Sequence, residues 1–318
     1  MKKFDKSKPA RYWILLLVLV SVGVTACLDD KAPSDKIKVI STIKPIHAIV
    51  TAIAGDHVDA QQLIPDYASP HDYTVKPSDI KKIRQADIIF RIDENMEVML
   101  NPVIAQRRSQ SLLISLADAE NMTLLPFAGG TTPEKGSTSE DAHGHHHGNI
   151  DYHIWTSPQN AMTIAQVINQ TLQKLDSDKQ VIYAQNLAVF NQALTTTIDK
   201  VKKELAPVKS KPYLVMHNSW QYFAHYFGLR KPEVLSLQSG IAGNVNDIRA
   251  ARAKIVSEGI VCVFSEPGVN PNKVKTLIEG LNVKTTEIDV LQSGMVVNKE
   301  TYINWLNTMS TKIKTCLE

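Results

Sequence analysis

Residues 178–205 read D-K-Q-V-I-Y-A-Q-N-L-A-V-F-N-Q-A-L-T-T-T-I-D-K-V-K-K-E-L, a run without glycine or proline. Val181, Tyr183, Leu187, Phe190, Leu194, Ile198, Val201 and Leu205 recur at mixed three- and four-residue steps, a spacing that gathers apolar side chains on one face of a helix. At 1.5 Å per residue such a helix is roughly 40 Å long, enough to cross the whole molecule. Short β-branched runs alternate with helical patterns on both sides of it. It therefore reads as a stiff connector between two lobes, residues 37–177 and 206–318.

Before the connector, residues 37–43 (I-K-V-I-S-T-I), 58–64, 87–92 and 111–115 have strand character. Residues 46–54, 77–86 and 94–106 read as helices between them, the last kinked or broken by Pro102. A helix over 158–175 precedes the connector. After it, strands over 212–217, 234–237, 260–265 and 283–288 alternate with helices over 220–227, 245–257, 271–281 and 299–317. This is an α/β fold of two lobes, each a parallel sheet flanked by helices. The halves share an architecture without a visible internal repeat.

The first 26 residues read as an export signal. Lys2, Lys3, Lys6, Lys8 and Arg11 precede an apolar core too short for a convincing membrane span. Val24-Thr25-Ala26-Cys27 is a small-residue cleavage site and resembles a bacterial lipoprotein box, with Cys27 as the lipidated residue; cleavage near Ala26 without lipidation is the alternative. Residues 27–36 form a polar tether. The chain carries a formal +3, and residues 1–26 hold five Lys/Arg against one Asp, a net +4, which leaves −1 on the remainder. That balance offers no electrostatic case for nucleic acid. With Cys27 set aside, Cys262 and Cys316 form an even pair, which in an exported protein reads as a disulfide. A thiolate metal pair is the alternative, disfavoured where oxidants consume free thiols.

Two kinds of histidine lie in A-H-G-H-H-H-G-N-I-D-Y-H-I-W-T-S-P, residues 142–158. His143, His145, His146 and His147 sit among glycines in a low-complexity stretch, 129–149, best left as a disordered loop. His153 is framed by Ile150, Tyr152, Ile154 and Trp155, so it should be held in one place. His71 follows a strand in the first half, and His217 ends the strand P-Y-L-V-M-H in the second. Asp289 ends another strand, T-E-I-D. Ligands of open parallel sheets bind beyond the carboxyl ends of the strands, so these positions converge on the cleft between lobes. Three imidazoles and one oxygen suit zinc, and would also take cobalt, nickel or copper. Taken singly, a histidine after a strand is more often a satisfied polar residue, and Asp289 alone reads as a cap. Glu266, in S-E-P-G, is either a carboxylate that orients an imidazole or a turn residue. His47 and His225 read as helix-surface residues, His57 as a turn residue, and Asp72 and Asp79 as loop and helix-start residues.

S-P-H-D-Y followed by K-P-S-D, then D-Y-H-I-W-T-S-P-Q-N-A, then V-M-H-N-S-W-Q-Y-F-A-H-Y-F-G-L, resembles the metal-specific solute-binding proteins of zinc and manganese ABC importers. The similarity runs from Val39 to the C-terminus. It is nearest the zinc-uptake (ZnuA-like) branch, by the histidine-rich loop, by His217 where manganese binders often carry Glu, and by the Cys262–Cys316 pair. The resemblance implies two α/β lobes joined by a rigid helix. It implies His71, His153 and His217 as the first three ligands and Asp289 at the position of the fourth. The residue before the first histidine, acidic in some zinc members, is Pro70 here, so Asp289 or a water completes the shell, and Asp289 is the expected one. The function expected is a non-enzymatic, monomeric periplasmic protein that captures zinc and delivers it to a membrane permease. Cys27 is the candidate lipid anchor, and the histidine tract serves capture or is a solvated insert. The alternatives are a manganese binder of the same fold, a zinc hydrolase with Glu266 as base, and a zinc-buffering surface lipoprotein.

Overall fold

The computed structural model describes residues 36–127, 150–235 and 245–318. The chain opens with β1 (Lys38–Ser41), α1 (Lys44–Ala54), β2 (Asp59–Gln62), α2 (Pro77–Gln85), β3 (Ile88–Arg91), α3 (Asn101–Ile104) and β4 (Leu112–Ser115). These strands form one sheet, ordered β2-β1-β3-β4, with every neighbouring pair parallel. Next come β5 (Leu125–Pro126), β6 (Ile150–Asp151), α4 (Pro158–Leu175) and α5 (Gln180–Leu205). The second half holds β7 (Tyr213–Val215), α6 (Gln221–Phe227), β8 (Glu233–Val234), α7 (Val245–Ser257), β9 (Cys262–Ser265), α8 (Pro271–Ile278), β10 (Lys284–Glu287) and α9 (Thr301–Leu317). Its parallel sheet runs β10-β9-β7-β8. Counted from its own first strand, that is the order of the first sheet. In both sheets the chain's direction of travel reverses beside the first strand, and a crevice opens at the carboxyl ends.

Strand alternation divides the second half between two apolar clusters. Tyr213, Val215, Cys262 and Phe264 face the main core, which extends through both halves. Leu214, Met216 and Val263 point the other way, into a smaller cluster with Ala251, Ile255 and Leu277 from α7 and α8.

The connector α5 lies against α1 and α4 of the first half and α6 and α9 of the second. It buries Tyr183, Leu187, Phe190, Leu194, Ile198, Val201 and Leu205. Val181, part of the expected stripe, is 63% exposed; two residues before Tyr183 is about 200° round a helix, which faces it away from the core. Cys316 of α9 is bonded to Cys262 of β9.

Two local expectations change. The helix expected over 94–106 is a short 3₁₀ turn (Val98–Leu100) followed by α3, and Pro102 lies in the first turn of α3, where its missing N–H is harmless. The antiparallel pair β5–β6, two residues on each side, is too short to show any periodicity. The signal, Cys27, most of the tether, and the tract with His143, His145, His146 and His147 lie outside the described residues. No described helix is long and apolar enough to cross a membrane.

Candidate metal centre

Each histidine of the cluster is placed by a different feature. His71 lies in the loop 63–76 between β2 and α2, which Pro65 and Pro70 stiffen. His153 opens a 3₁₀ turn (Ile154–Thr156) that leads into α4, whose start is capped by the Ser157 hydroxyl accepting from the Asn160 N–H. His217 follows β7 by two residues. The structure brings the three together, with one ligand nitrogen from each within 4.8 Å of the others. His71 Nε2 and His153 Nε2 are 3.3 Å apart, and the ring centroids are separated by 5.0 to 5.9 Å. They line a cavity of about 430 Å³ with Trp155, Met216, Ser219, Glu266 and Leu291.

Two of the imidazoles are held from behind by carboxylates. Asp151 Oδ1 accepts from His153 Nδ1 at 2.6 Å and from the His153 backbone N–H at 2.9 Å. Glu266 Oε2 lies 3.1 Å from His217 Nδ1, and its other oxygen accepts from the Ser219 hydroxyl. A carboxylate accepts only, so each Nδ1 carries the proton and each Nε2 keeps its lone pair. Burial alone lowers the His217 pKa, but the Glu266 carboxylate reverses this and leaves it above the ordinary imidazole value. Burial likewise raises Glu266, and His217 with the Ser219 hydroxyl outweighs it, for a net lowering.

Asp289 does not join the cluster. Its Oδ1 accepts from the Leu291 N–H at 2.8 Å and its Oδ2 from the Ser293 N–H at 2.7 Å. The side chain is a turn cap, the reading its sequence position gave when taken alone, and burial holds its pKa above the usual carboxylate range. Glu266 lies just after β9, with its carboxylate against His217 Nδ1. Asp72 is exposed at the cavity wall, and His225 is exposed on α6. His57 closes a 3₁₀ turn and meets the Tyr183 ring edge-on. His47 is not a surface residue: it is half-buried on α1, and burial with nearby Lys44 pushes its pKa down to about 4. Asp79 starts α2 as expected but is buried, accepting from the Lys76 N–H and the Tyr73 hydroxyl.

Sequence reasoning passed over Asp151. The signal was the spacing D-Y-H: an aspartate two residues before a histidine can reach that histidine's Nδ1 while accepting from its N–H. It also missed Tyr222, whose hydroxyl accepts from the Leu125 N–H and donates to the Asp151 carbonyl. That bond fixes the strand that carries Asp151 to α6.

The model of the family described as ZnuA, zinc-uptake complex component A, periplasmic, matches residues 39–316. The chain belongs to that family. The high-affinity zinc uptake system protein ZnuA of Yersinia pestis is 30% identical over 290 residues, covering 88% of this chain and 91% of its own. A crystal structure of ZnuA superposes with a TM-score of 0.74 at 21% identity, covering 89% of this chain and all of the other. A manganese-bound mutant of a periplasmic metal-binding protein from candidatus Liberibacter asiaticus gives a TM-score of 0.71 at 22% identity, covering 89% and 100%. Membership makes this chain a metal-binding solute-binding protein, a transport component and not an enzyme. An ABC transporter permease is the partner the family implies.

Proposed function

We propose that the protein captures zinc outside the cytoplasm and hands it to the permease of an ABC importer for high-affinity uptake. Residues 1–26 serve as the export signal and 27–36 as the tether, with Cys27 available for lipidation. The observation that carries the metal assignment is the set of three converging imidazoles, two of them with Nδ1 bound to a carboxylate. Tetrahedral zinc with Zn–N bonds of about 2.05 Å requires nitrogens about 3.3 Å apart, and His71 Nε2 and His153 Nε2 have that separation. His71, His153 and His217 supply three ligands. Because Asp289 is committed to backbone N–H groups, water takes the fourth position. Manganese, carried by two structural neighbours, prefers more oxygen than this set offers.

The test is metal content and competition titration on the wild type, His217→Ala and a deletion of residues 129–148. One tight zinc, lost in His217→Ala and kept in the deletion, supports the cleft. Tight binding that survives His217→Ala and disappears with the deletion overturns it in favour of the histidine tract. Manganese outcompeting zinc for the wild type would reassign the cargo. Impaired growth of a deletion strain under zinc limitation separates uptake from surface buffering.

A further inference from the structure

Beside the imidazoles, the two halves of the chain meet in a further polar contact. Lys44, the first residue of α1, is 7% exposed. Its Nζ donates to Asp66 Oδ2 at 2.5 Å and to the Met295 carbonyl at 3.0 Å. The same Asp66 oxygen accepts from the Gly294 N–H at 2.8 Å, and the Tyr67 N–H donates to Ser293 Oγ at 3.4 Å. Asp66 and Tyr67 belong to the loop 63–76, which carries His71. Residues 293–295 belong to the segment between β10 and α9. The loop that presents one imidazole is thus fastened to the opposite half of the molecule.

Both sides of this contact are shaped to meet. Tyr67 has φ +64° and Gly294 φ +73°, the left-handed region that a non-glycine residue adopts at a cost. A Cβ at Gly294 would lie 2.8 Å from the Tyr67 hydroxyl, so glycine lets the two loops close up. Asp289, through the Leu291 and Ser293 N–H groups, holds the receiving loop in form. An ammonium group as buried as that of Lys44 depends on its carboxylate partner, because losing it strands a charge away from water.

We infer that Lys44 and Asp66 are positioning residues: together they latch the His71 loop to the far side of the cleft, and release of the metal requires the latch to open. This rests on the carrier reading above. Lys44→Met, Asp66→Asn and the double variant are loaded with zinc, and release to a chelator is followed by stopped flow. Each single variant should release zinc about 10–100-fold faster, the range for loss of residues that orient metal ligands. The double variant should be no faster than the worse single, because both substitutions break one latch. Lys254→Met removes an exposed pair with Glu233 and should release at the wild-type rate. In the metal-free protein, hydrogen exchange at residues 66–72 and 293–295 should accelerate in Lys44→Met and in the near-isosteric Asp66→Asn. Wild-type release rates with unchanged exchange, or additive effects in the double variant, overturn the latch. If the wild type takes up no zinc, the carrier reading fails and the exchange data alone decide whether the latch exists.

Discussion

His153 Nδ1 and Asp151 Oδ1 are 2.6 Å apart, joined across a single intervening residue and buried with almost no exposure. Because the same oxygen also accepts the His153 N–H, ring and backbone are fixed together. Tyr222 then fixes Asp151 to α6. The imidazole is set in position before any metal arrives, so little ordering cost remains for binding.

Asp151→Asn tests this. Asparagine keeps the size of the side chain and can still accept from the backbone, but it removes the negative charge behind the ring. Zinc affinity should fall about 10–100-fold with the thermal midpoint nearly unchanged. Chelator competition and calorimetry measure the two; an unchanged affinity would show that the carboxylate charge does not tune His153.

Acidification should release the metal, because only neutral imidazoles bind it. The raised His217 pKa means that release begins at a higher pH than for an ordinary imidazole near ~6.5. Glu266→Gln removes the cause of the rise. It should weaken binding at neutral pH while moving the acid-release midpoint downward. In the metal-free protein, the raised His217 value gives stability that is fully present below the unfolded imidazole pKa and lost as pH rises through the folded one. The lowered Glu266 value gives stability present above the unfolded carboxylate pKa and lost as pH falls through the folded one. Thermal midpoints against pH, for wild type and Glu266→Gln, measure both limbs.

Asp289→Ala separates a ligand from a cap. The structure predicts destabilisation of about 1 kcal/mol, the net worth of hydrogen bonds to part-buried N–H groups, with one zinc still bound per chain. Loss of the zinc without loss of stability would restore Asp289 to the coordination shell.

Removing the disulfide by Cys262→Ser with Cys316→Ser should cost about 4 kcal/mol in urea unfolding, given a sequence separation of 54 residues. Zinc stoichiometry should not change, since neither sulfur belongs to the imidazole cluster.

Glu97 is fully buried, and burial pushes its pKa up to about 7. One oxygen accepts from the Ile92 and Asp93 N–H groups. A carboxyl with its folded pKa above the unfolded value favours the native state when protonated, so its contribution declines as pH rises towards 7. Glu97→Gln keeps an acceptor without ionising. The variant should gain on the wild type as pH increases from about 5 to 8, and parallel stability profiles would refute the assignment.

The alternating elements were legible because their residues are locally consistent. The β-branched runs at β1, β3 and β9 are buried strands, and α4 and α7 occupy 158–175 and 245–257 as their patterns predict. Where the sequence misleads, one local pattern serves two structures. Pro102 is equally compatible with breaking a helix and with starting one, and the chain uses it to start α3. Asp289 at a strand end looks the same in sequence whether it faces a metal or a turn; the direction of the Leu291 and Ser293 N–H groups decides, and this is set only by the folded loop. The convergence of His71, His153 and His217 was legible through the motifs S-P-H-D-Y, D-Y-H-I-W and V-M-H-N-S, because a histidine after a strand, taken singly, is more often a satisfied polar residue. Lys44 with Met295 was not, because 251 residues separate the partners.

The short ladder of β5 with β6 has a mechanical consequence. Phe127 and Ile150 border residues 128–149, and the strands at either border are paired with each other and tied by Tyr222 and Gln221 to α6. Asp151 is itself the last residue of β6, so the clasp holds the very carboxylate that accepts from His153 Nδ1. The support behind His153 therefore comes from two directions at once, the strand pairing of Asp151 with Leu125 and the Tyr222 hydroxyl on the Asp151 carbonyl, so that α6 of the second half braces an imidazole carried by the first.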